Sequence, residues 1–231
     1  MNIISVIPAR EGSKGLPNKN ILDLDGQSLI AYSIVDSLRS KHIEETFVST
    51  DSLEIGKIAE KYGAEVPFAR PKKYAKDDSK DIEWVRHFLC WFKLIYDKLP
   101  EYIVHLRPTT PLREVDMIDK AIETIIDNPD ATALRSVHKT IESPYKTFSL
   151  EKGYLKGMFP DYPIKEYYNL PRQHFPQTYK PNGYVDILKT STILGNSLHG
   201  DKILTFETSH TVEVDSKEEF EYLEYLINKM D

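Results

Sequence analysis

The sequence lacks the features that mark several large classes of protein. Its 231 residues include one cysteine, Cys90, so neither a disulfide framework nor a cysteine-rich metal site can form within one chain. No apolar run approaches membrane-spanning length, and Arg10 interrupts the apolar start of the chain, which is atypical of a signal peptide. The net charge of −6 disfavours nucleic acid or a membrane surface as partner. We therefore expect a cytoplasmic protein with neither partner.

Two common phosphate-binding motifs are also missing. The chain contains neither G-x-x-x-x-G-K-[ST] nor G-x-G-x-x-G, which excludes a P-loop NTPase and a dinucleotide-dependent dehydrogenase. Its seven histidines show no H-x-x-x-H spacing of the kind that binds zinc on a helix. Any phosphate or metal site must therefore use another pattern.

Short apolar runs alternate with segments of helical periodicity along most of the chain. Because alternating strands and helices form mostly parallel sheets with helices on both faces, an α/β fold is predicted. Prolines and tyrosines replace this rhythm after Ser143, so residues 140–180 are predicted to be an arm inserted into a single domain spanning 1–231. The predicted strands are 3–8, 45–50, 101–106 and 131–137, and the predicted helices are 28–40, 52–63, 81–99, 115–127 and 217–230.

The loop after the first predicted strand is the strongest candidate for a binding site. It reads "IPAREGSKGLPNKN" over residues 7–20 and contains Arg10, Lys14 and Lys19 together with two glycines. Ligands bind outside the carboxyl ends of the strands in open α/β sheets, and glycines let backbone N–H groups approach an anion closely. The loop is therefore predicted to bind a triphosphate, although a solvated loop with surface lysines would have the same composition.

Carboxylates near the end of the chain provide a candidate metal site. Glu213 and Asp215 are two residues apart in "VEVD", a predicted strand, and would project from the same face. Paired oxygen ligands suit Mg²⁺, although an ordinary exposed strand face would look the same. Asp51, between a predicted strand and a predicted helix, is interpreted as a helix N-cap.

Taken together, these motifs resemble those of one family. The loop at 7–20 is similar to the signature loop of the acylneuraminate cytidylyltransferase family, which comprises CMP-sialic acid synthetases and bacterial relatives for legionaminic and pseudaminic acids. The resemblance implies a Rossmann-like, nucleotide-diphospho-sugar transferase type fold with a proline-rich dimerisation arm. It also implies transfer of CMP from CTP to the anomeric hydroxyl of a nonulosonic acid, with release of pyrophosphate, for bacterial-type surface glycans. The likeness continues through "FVSTDS" (47–52), "RPTTPLR" (107–113), "LPRQHFPQTYKPNG" (170–183) and "VEVD" (212–215).

The same resemblance implies roles for individual residues. Lys19, Arg10 and Asp215 would be catalytic, and Mg²⁺ would be held by Asp215 with Glu213. The sugar acid would be bound by Arg107, Lys146, Arg172 and Asp186, with Lys146 and Arg172 reaching the site of the partner subunit in a homodimer. The nucleotide would be bound by Arg10, Ser13, Lys14, Lys19, Asn20, Arg70, Ser79 and Asp81.

Several positions depart from the family pattern and leave alternatives open. Relatives usually carry Asp where this chain has Glu213, Gln at position 107 and an aromatic residue at position 186. Arg107 would prefer a carboxylate or phosphate, and Asp81 would either cap its helix or accept hydrogen bonds from a guanine edge. The same chemistry with GTP, or with a phosphorylated or phosphonate acceptor, is one alternative. A catalytically silent nucleotide-binding dimer that regulates a glycan pathway is another.

Overall fold

The computed structural model describes residues 2–13 and 15–229, which form a sheet between two layers of helices and carry one projecting segment. In chain order the elements are β1 (Ile3–Pro8), β2 (Asp23–Leu24), β3 (Gln27–Ser28), α1 (Leu29–Arg39), β4 (Glu45–Ser49), α2 (Leu53–Lys61), α3 (Asp81–Tyr96), β5 (Tyr102–His105), α4 (Val115–Ile126), β6 (Ala133–Lys139), β7 (Phe148–Glu151), β8 (Tyr154–Gly157), β9 (Tyr179–Lys189), α5 (Thr190–Leu194), β10 (Ile203–Glu207) and α6 (Lys217–Ile227).

The central sheet has six strands in the order β10-β6-β9-β5-β1-β4. The pairs β1–β4, β1–β5 and β6–β10 are parallel, whereas β9 runs antiparallel to both of its neighbours. The predicted mostly parallel sheet is therefore confirmed, with β9 as the reversed strand. Because parallel strands end at the same edge of a sheet, the loops that follow β1, β4 and β5 lie together.

Both faces of the sheet are covered by helices, as predicted. On one face, β1 contributes Ile3 and Ile7 to a core that includes α1, α2 and α4. On the other face, Ile4 and Val6 pack in a second core with α3 and α5. This alternation follows from the period of two in a β-strand, since successive side chains point to opposite faces.

Helix α3 carries the aromatic residues that the sequence places at helical spacing. Trp84, Phe88 and Phe92 are buried against the sheet, and the ring of Phe88 lies 5.2 Å from that of Phe47 on β4. Their helical spacing puts these aromatic side chains on one face of α3, and that face forms part of the core. The packing also fixes the first turn of α3, which carries Asp81, at the edge of the sheet where the strands end.

The predicted strand at 212–215 is wrong in its secondary structure. These residues pair with no strand of the sheet, although the N–H of Val214 donates a hydrogen bond to the carbonyl oxygen of Thr109 at 2.8 Å. Val214 is fully buried in a third core with Leu223 of α6. Burial of Val214 fixes the backbone of Glu213 and Asp215 on either side of it. The predicted strand would have fixed these two residues in a similar way.

Residues 140–178 leave the sheet between β6 and β9 and form the segment predicted to be an arm. The strands β7 and β8 pair as an antiparallel hairpin, and the ring of Tyr145 stacks on Phe159 at 4.4 Å and on Phe175 at 5.0 Å. The arm therefore has a small aromatic core of its own. Within the described residues, none of the helices combines the length and apolar character needed to cross a membrane.

Candidate active site

A cleft of about 570 Å³ opens where β1 and β5 end. Most of the residues that the sequence predicts for the nucleotide and the metal line this one cleft, although they come from widely separated parts of the chain. Lys14 lies outside the described residues. The predicted residues that line the cleft are Arg10, Ser13, Lys19, Asn20, Arg70, Ser79, Asp81, Arg107, Glu213 and Asp215.

The signature loop and the acidic segment meet directly in the cleft. Lys19 Nζ lies 2.6 Å from Asp215 Oδ1, although 196 residues separate the two in sequence. The backbone of Gly15 lies against the carbonyl oxygen of Asp215, and a Cβ atom at position 15 would collide with that oxygen. The cleft thus brings cations and carboxylates together at one wall, as binding of a metal triphosphate requires.

Asp215 is fixed by the start of helix α6. Ser216 is the N-cap of α6 and forms a capping box with Glu219. A Glu219 carboxylate oxygen also accepts a hydrogen bond from the N–H of Asp215 at 2.7 Å. The Asp215 backbone is therefore held in place, while its side chain is 68% exposed and faces the cleft.

The beginning of the signature loop is held by contacts from three sides. Arg10 Nη1 lies 2.6 Å from Asp77 Oδ1 across the cleft, and buried Asn20 donates a hydrogen bond to the carbonyl oxygen of Arg10 at 2.9 Å. Asp51 accepts a hydrogen bond from the N–H of Glu11 at 2.9 Å. The N-cap of α2 is Ser52, so the interpretation of Asp51 as that cap is wrong. Asp51 instead ties the signature loop to the end of β4.

Arg70 and Ser79 lie on the side of the cleft formed by residues 70–80. The Arg70 guanidinium donates hydrogen bonds to the side chain and the carbonyl oxygen of Ser49 and lies 5.5 Å from the Trp84 ring. Burial lowers the pKa of Arg70 to about 10, so Arg70 stays charged at neutral pH. Ser79 Oγ bonds to the carbonyl oxygen of Lys73 and to the N–H of Lys76, which folds this segment into a compact turn.

Asp81 is the first residue of α3, but its side chain does not cap the helix. Its two carboxylate oxygens accept hydrogen bonds from Trp84 Nε1 and Arg107 Nη2, both at 3.1 Å. Burial raises the pKa of Asp81, but His105, Arg107 and the two hydrogen bonds outweigh burial and lower the pKa to about 2. Asp81 is therefore ionised and engaged with protein groups on both oxygens.

The remaining predicted sugar-binding residues do not line the cleft of this chain. Asp186 is 2% exposed and lies beneath Arg107. In the arm, Lys146 Nζ donates a hydrogen bond to the carbonyl oxygen of Leu170 at 2.9 Å. Arg172 donates one to the carbonyl oxygen of Thr140 at 3.3 Å and borders a separate cavity of about 350 Å³. The roles of these residues in sugar binding stay predictions.

Arg113 is a residue whose importance sequence reasoning missed. Its buried guanidinium donates hydrogen bonds to the carbonyl oxygens of Arg107 and Gly183 and to Ser33 Oγ at 2.7, 3.2 and 2.9 Å. It thereby holds the loop that carries Arg107 against β9 and α1. Its place at the end of "RPTTPLR" was the available signal, but a cation next to a turn is usually exposed.

Comparison with known proteins identifies the family. A family model described as cytidylyltransferase matches residues 4–157, two thirds of the chain. The chain belongs to the cytidylyltransferase family. The post-translational flagellin modification protein B of Campylobacter coli is 32% identical to this cytidylyltransferase family member over 98% of this chain and 95% of that protein. The CMP-N,N'-diacetyllegionaminic acid synthase of Campylobacter jejuni is 30% identical over the same shares.

A solved structure shows that the fold is of the nucleotide-diphospho-sugar transferase type. The CMP:2-keto-3-deoxy-manno-octonic acid synthetase complexed with CTP superimposes on this cytidylyltransferase family member with a TM-score of 0.72. The alignment covers 100% of both chains at 16% sequence identity. At that identity the likeness shows a shared fold, and the chemistry must be argued from the residues of the cleft.

Proposed function

We propose that this protein transfers CMP from CTP to the anomeric hydroxyl of a nonulosonic acid of the sialic type and releases pyrophosphate. The observation that carries this proposal is the meeting of Lys19 and Asp215 in one cleft large enough for a nucleotide. The whole-length likeness to a CMP-N,N'-diacetyllegionaminic acid synthase supports the choice of acceptor. The product would serve bacterial-type surface glycans.

The reaction needs charge stabilisation and positioning more than covalent chemistry. The acceptor hydroxyl gives up its proton as its oxygen forms a bond to the α-phosphorus. The bond between that phosphorus and the oxygen bridging to the β-phosphate breaks, so the electron pair leaves with pyrophosphate. Arg10 and Lys19 lie at the cleft wall where they can bind the phosphates, and Lys14 belongs to the same loop. Their positive charges would stabilise the charge that builds up on pyrophosphate.

We assign Mg²⁺ to Asp215, with Glu213 as a second carboxylate. Both side chains line the cleft, and oxygen donors suit this ion. Residues 2–13 and 15–229 contain no group of three or more His, Cys, Asp or Glu side chains able to hold a metal. This donor set fits an ion that takes its other ligands from phosphates and water. When bound, Mg²⁺ would supply positive charge at the α-phosphate.

The state of Asp81 favours CTP over GTP. A guanine edge would need a carboxylate with oxygens free to accept two N–H groups. Both Asp81 oxygens already accept hydrogen bonds from Trp84 and Arg107. A guanine edge would therefore have to share these oxygens with Trp84 and Arg107, in the geometry that those two donors leave.

Pyrophosphate release measured with CTP, GTP, ATP and UTP tests the proposal. Each nucleotide is combined with N-acetylneuraminic, N,N'-diacetyllegionaminic and pseudaminic acids, with Mg²⁺ and with EDTA. We expect release with CTP and at least one of these acids, and its loss in EDTA. Release with GTP alone would overturn the nucleotide assignment. Tight CTP binding without release under any condition would favour the silent regulatory dimer.

A further inference from the structure

Arg107 lies between two carboxylates of very different exposure. Its Nη2 atom lies 3.1 Å from Asp81 Oδ2 and 3.8 Å from Asp186 Oδ2. The Asp81 side chain is 32% exposed at the cleft, whereas that of Asp186 is 2% exposed in the interior. We call Asp81 and Asp186 the Arg107 clamp.

The sheet holds the buried member of the clamp rigidly. Asp186 lies on β9, where it pairs in register with His105 of β5 and Arg135 of β6. Arg135 Nε donates to Asp186 Oδ1 at 3.2 Å. Asp186 Oδ2, on the side of Arg107, accepts no hydrogen bond from any residue that the structure describes. Asp186 cannot move without disturbing a strand in the middle of the sheet.

The carboxylate that faces the phosphate-binding Lys19 is held much more loosely. The Asp215 side chain is 68% exposed. It can turn into solvent when an anion takes its place. Asp81 is tied to Trp84 and Asp186 to Arg135, so neither can turn away from Arg107 in the same way.

The four charged side chains that contact one another around Arg107 carry no net charge among themselves. Two carboxylates, Asp81 and Asp186, balance two guanidinium groups, Arg107 and Arg135. Burial, with a smaller contribution from Arg107, lowers the pKa of the nearby His105 to about 4, so this histidine is neutral at pH 7. An anion that approached Arg107 would meet a guanidinium whose charge Asp81 and Asp186 already balance.

We propose that Asp186 is a positioning residue which, together with Asp81, fixes Arg107 so that its remaining N–H groups donate to an uncharged carbonyl or hydroxyl oxygen of the second substrate. This inference rests on the proposed function and specifies the acceptor. The clamp disfavours a phosphate or phosphonate at this point, and Arg107 determines specificity as an oriented donor.

Kinetics of Asp186→Asn, Arg107→Gln and the double variant test the role. Asp186→Asn should raise KM for the best nonulosonic acid about tenfold, because the displaced Arg107 guanidinium loses one charge-assisted hydrogen bond to the acceptor. KM for CTP should stay nearly unchanged. The double variant should be no worse than Arg107→Gln, since Asp186 acts through Arg107. Asp78→Asn is the same chemical change at an exposed neighbour of the cleft and should have no effect. Additive losses, or an equal rise in KM for CTP, would overturn the proposal.

Guanidinium ¹⁵N NMR of the nucleotide-free protein tests the clamp without turnover. Arg107 should show slowed rotation of its Nη groups, assigned with Arg107→Lys. Asp186→Asn, which removes an ion pair at 3.8 Å, should make this rotation measurably faster. Asp81→Asn, which removes the hydrogen bond to Nη2, should have the larger effect and remains available if Asp186→Asn does not fold. Freely rotating Nη groups in the wild-type protein would refute the clamp. Wild-type protein that shows the NMR signature but uses no acceptor would instead refute the proposed function.

Discussion

The cleft and the arm differ in how their polar residues are held. In the cleft, Lys19 and Asp215 belong to segments anchored on the central sheet and on α6. In the arm, Lys146 and Arg172 bond to nearby carbonyl oxygens around a stack of aromatic rings. The cleft brings distant parts of one chain together, whereas the described arm residues contact mostly one another.

This difference separates the binding groups that one chain supplies to its own cleft from those that would need a second subunit. Within residues 2–13 and 15–229, the groups proposed to bind the nucleotide all line the cleft of a single chain. The arm exposes large apolar residues, and its two predicted sugar-binding cations are absent from that cleft. A homodimer remains the proposal that would give Lys146 and Arg172 a site. The exposed apolar residues of the arm include Ile141, Leu150, Tyr154 and Leu155.

The largest expected effect comes from removing either side of the central ion pair. Lys19→Ala and Asp215→Ala should each reduce the rate of pyrophosphate release about 100- to 1,000-fold, because each removes charge aimed at the reacting phosphates. The midpoint of thermal unfolding should change little, since the pair is partly exposed. Steady-state kinetics and circular dichroism measure the two quantities.

Lys120→Ala, on the exposed face of α4, is the matched control for the loss of a lysine and should keep full activity. Near-normal rates in both cleft variants would show that the cleft is not the catalytic site.

Acid should lower the free energy of unfolding of the protein through protonation of His105. This histidine is buried, and its folded pKa of about 4 lies below the ordinary value of 6.5. Between these values the unfolded chain binds more protons than the native protein, so the free energy of unfolding falls as pH drops through this window. The loss should reach about 2 kcal/mol at pH 5.

His105→Leu removes the titrating group and should reduce the fall in stability between pH 7 and pH 5. Urea titrations followed by tryptophan fluorescence measure the difference. Both tryptophans lie on α3: Trp84 contacts the His105 ring, and Trp91 packs against the core that contains Trp84. An equal fall in the wild-type and variant proteins would assign the acid sensitivity to other groups.

Sequence periodicity predicts the sheet and the helices well because burial on both faces leaves continuous apolar runs. It fails at "VEVD" because a single buried valine between two acidic residues has the same alternating pattern as a strand. The structure instead holds this valine by burial and by one backbone hydrogen bond. It also fails at Asp51, because a side chain between a strand and a helix can bond to its own helix or to another loop. Local patterns contain no information about which distant loop lies nearby.

The candidate site shows the same limit. The residues of the signature loop were predictable because cations and glycines occur together there. The Arg107 clamp was not, because Asp81, Arg107 and Asp186 meet only through the register of β9 with its neighbours. Arg113 was missed for the same reason, since its burial depends on tertiary packing.

Substitution of Gly15 tests whether close packing in the cleft matters when no charge is changed. Gly15→Ala places a methyl group against the carbonyl oxygen of Asp215, so the signature loop and the acidic segment must separate. We expect kcat/KM for CTP to fall about tenfold, because a small misplacement of reacting groups is costly. Gly12→Ala is the matched control: no atom lies within 4 Å of its added Cβ, so it should have a much smaller effect. Equal effects of the two variants would contradict the proposed contact.

Mixing two inactive variants would show directly whether cleft and arm act in different subunits. Lys19→Ala inactivates a cleft, and Arg172→Ala inactivates an arm if that arm serves the partner's cleft. In a dimer of one of each, one cleft keeps its lysine and faces an intact arm, while the other has lost both contributions. Random exchange makes roughly half of the dimers mixed, so about a quarter of the wild-type activity should return after subunit exchange. No recovery, with mixed dimers confirmed by mass spectrometry, would mean that Arg172 acts within its own chain or not at all. Full activity of Arg172→Ala alone would leave Arg172 with no part in the chemistry.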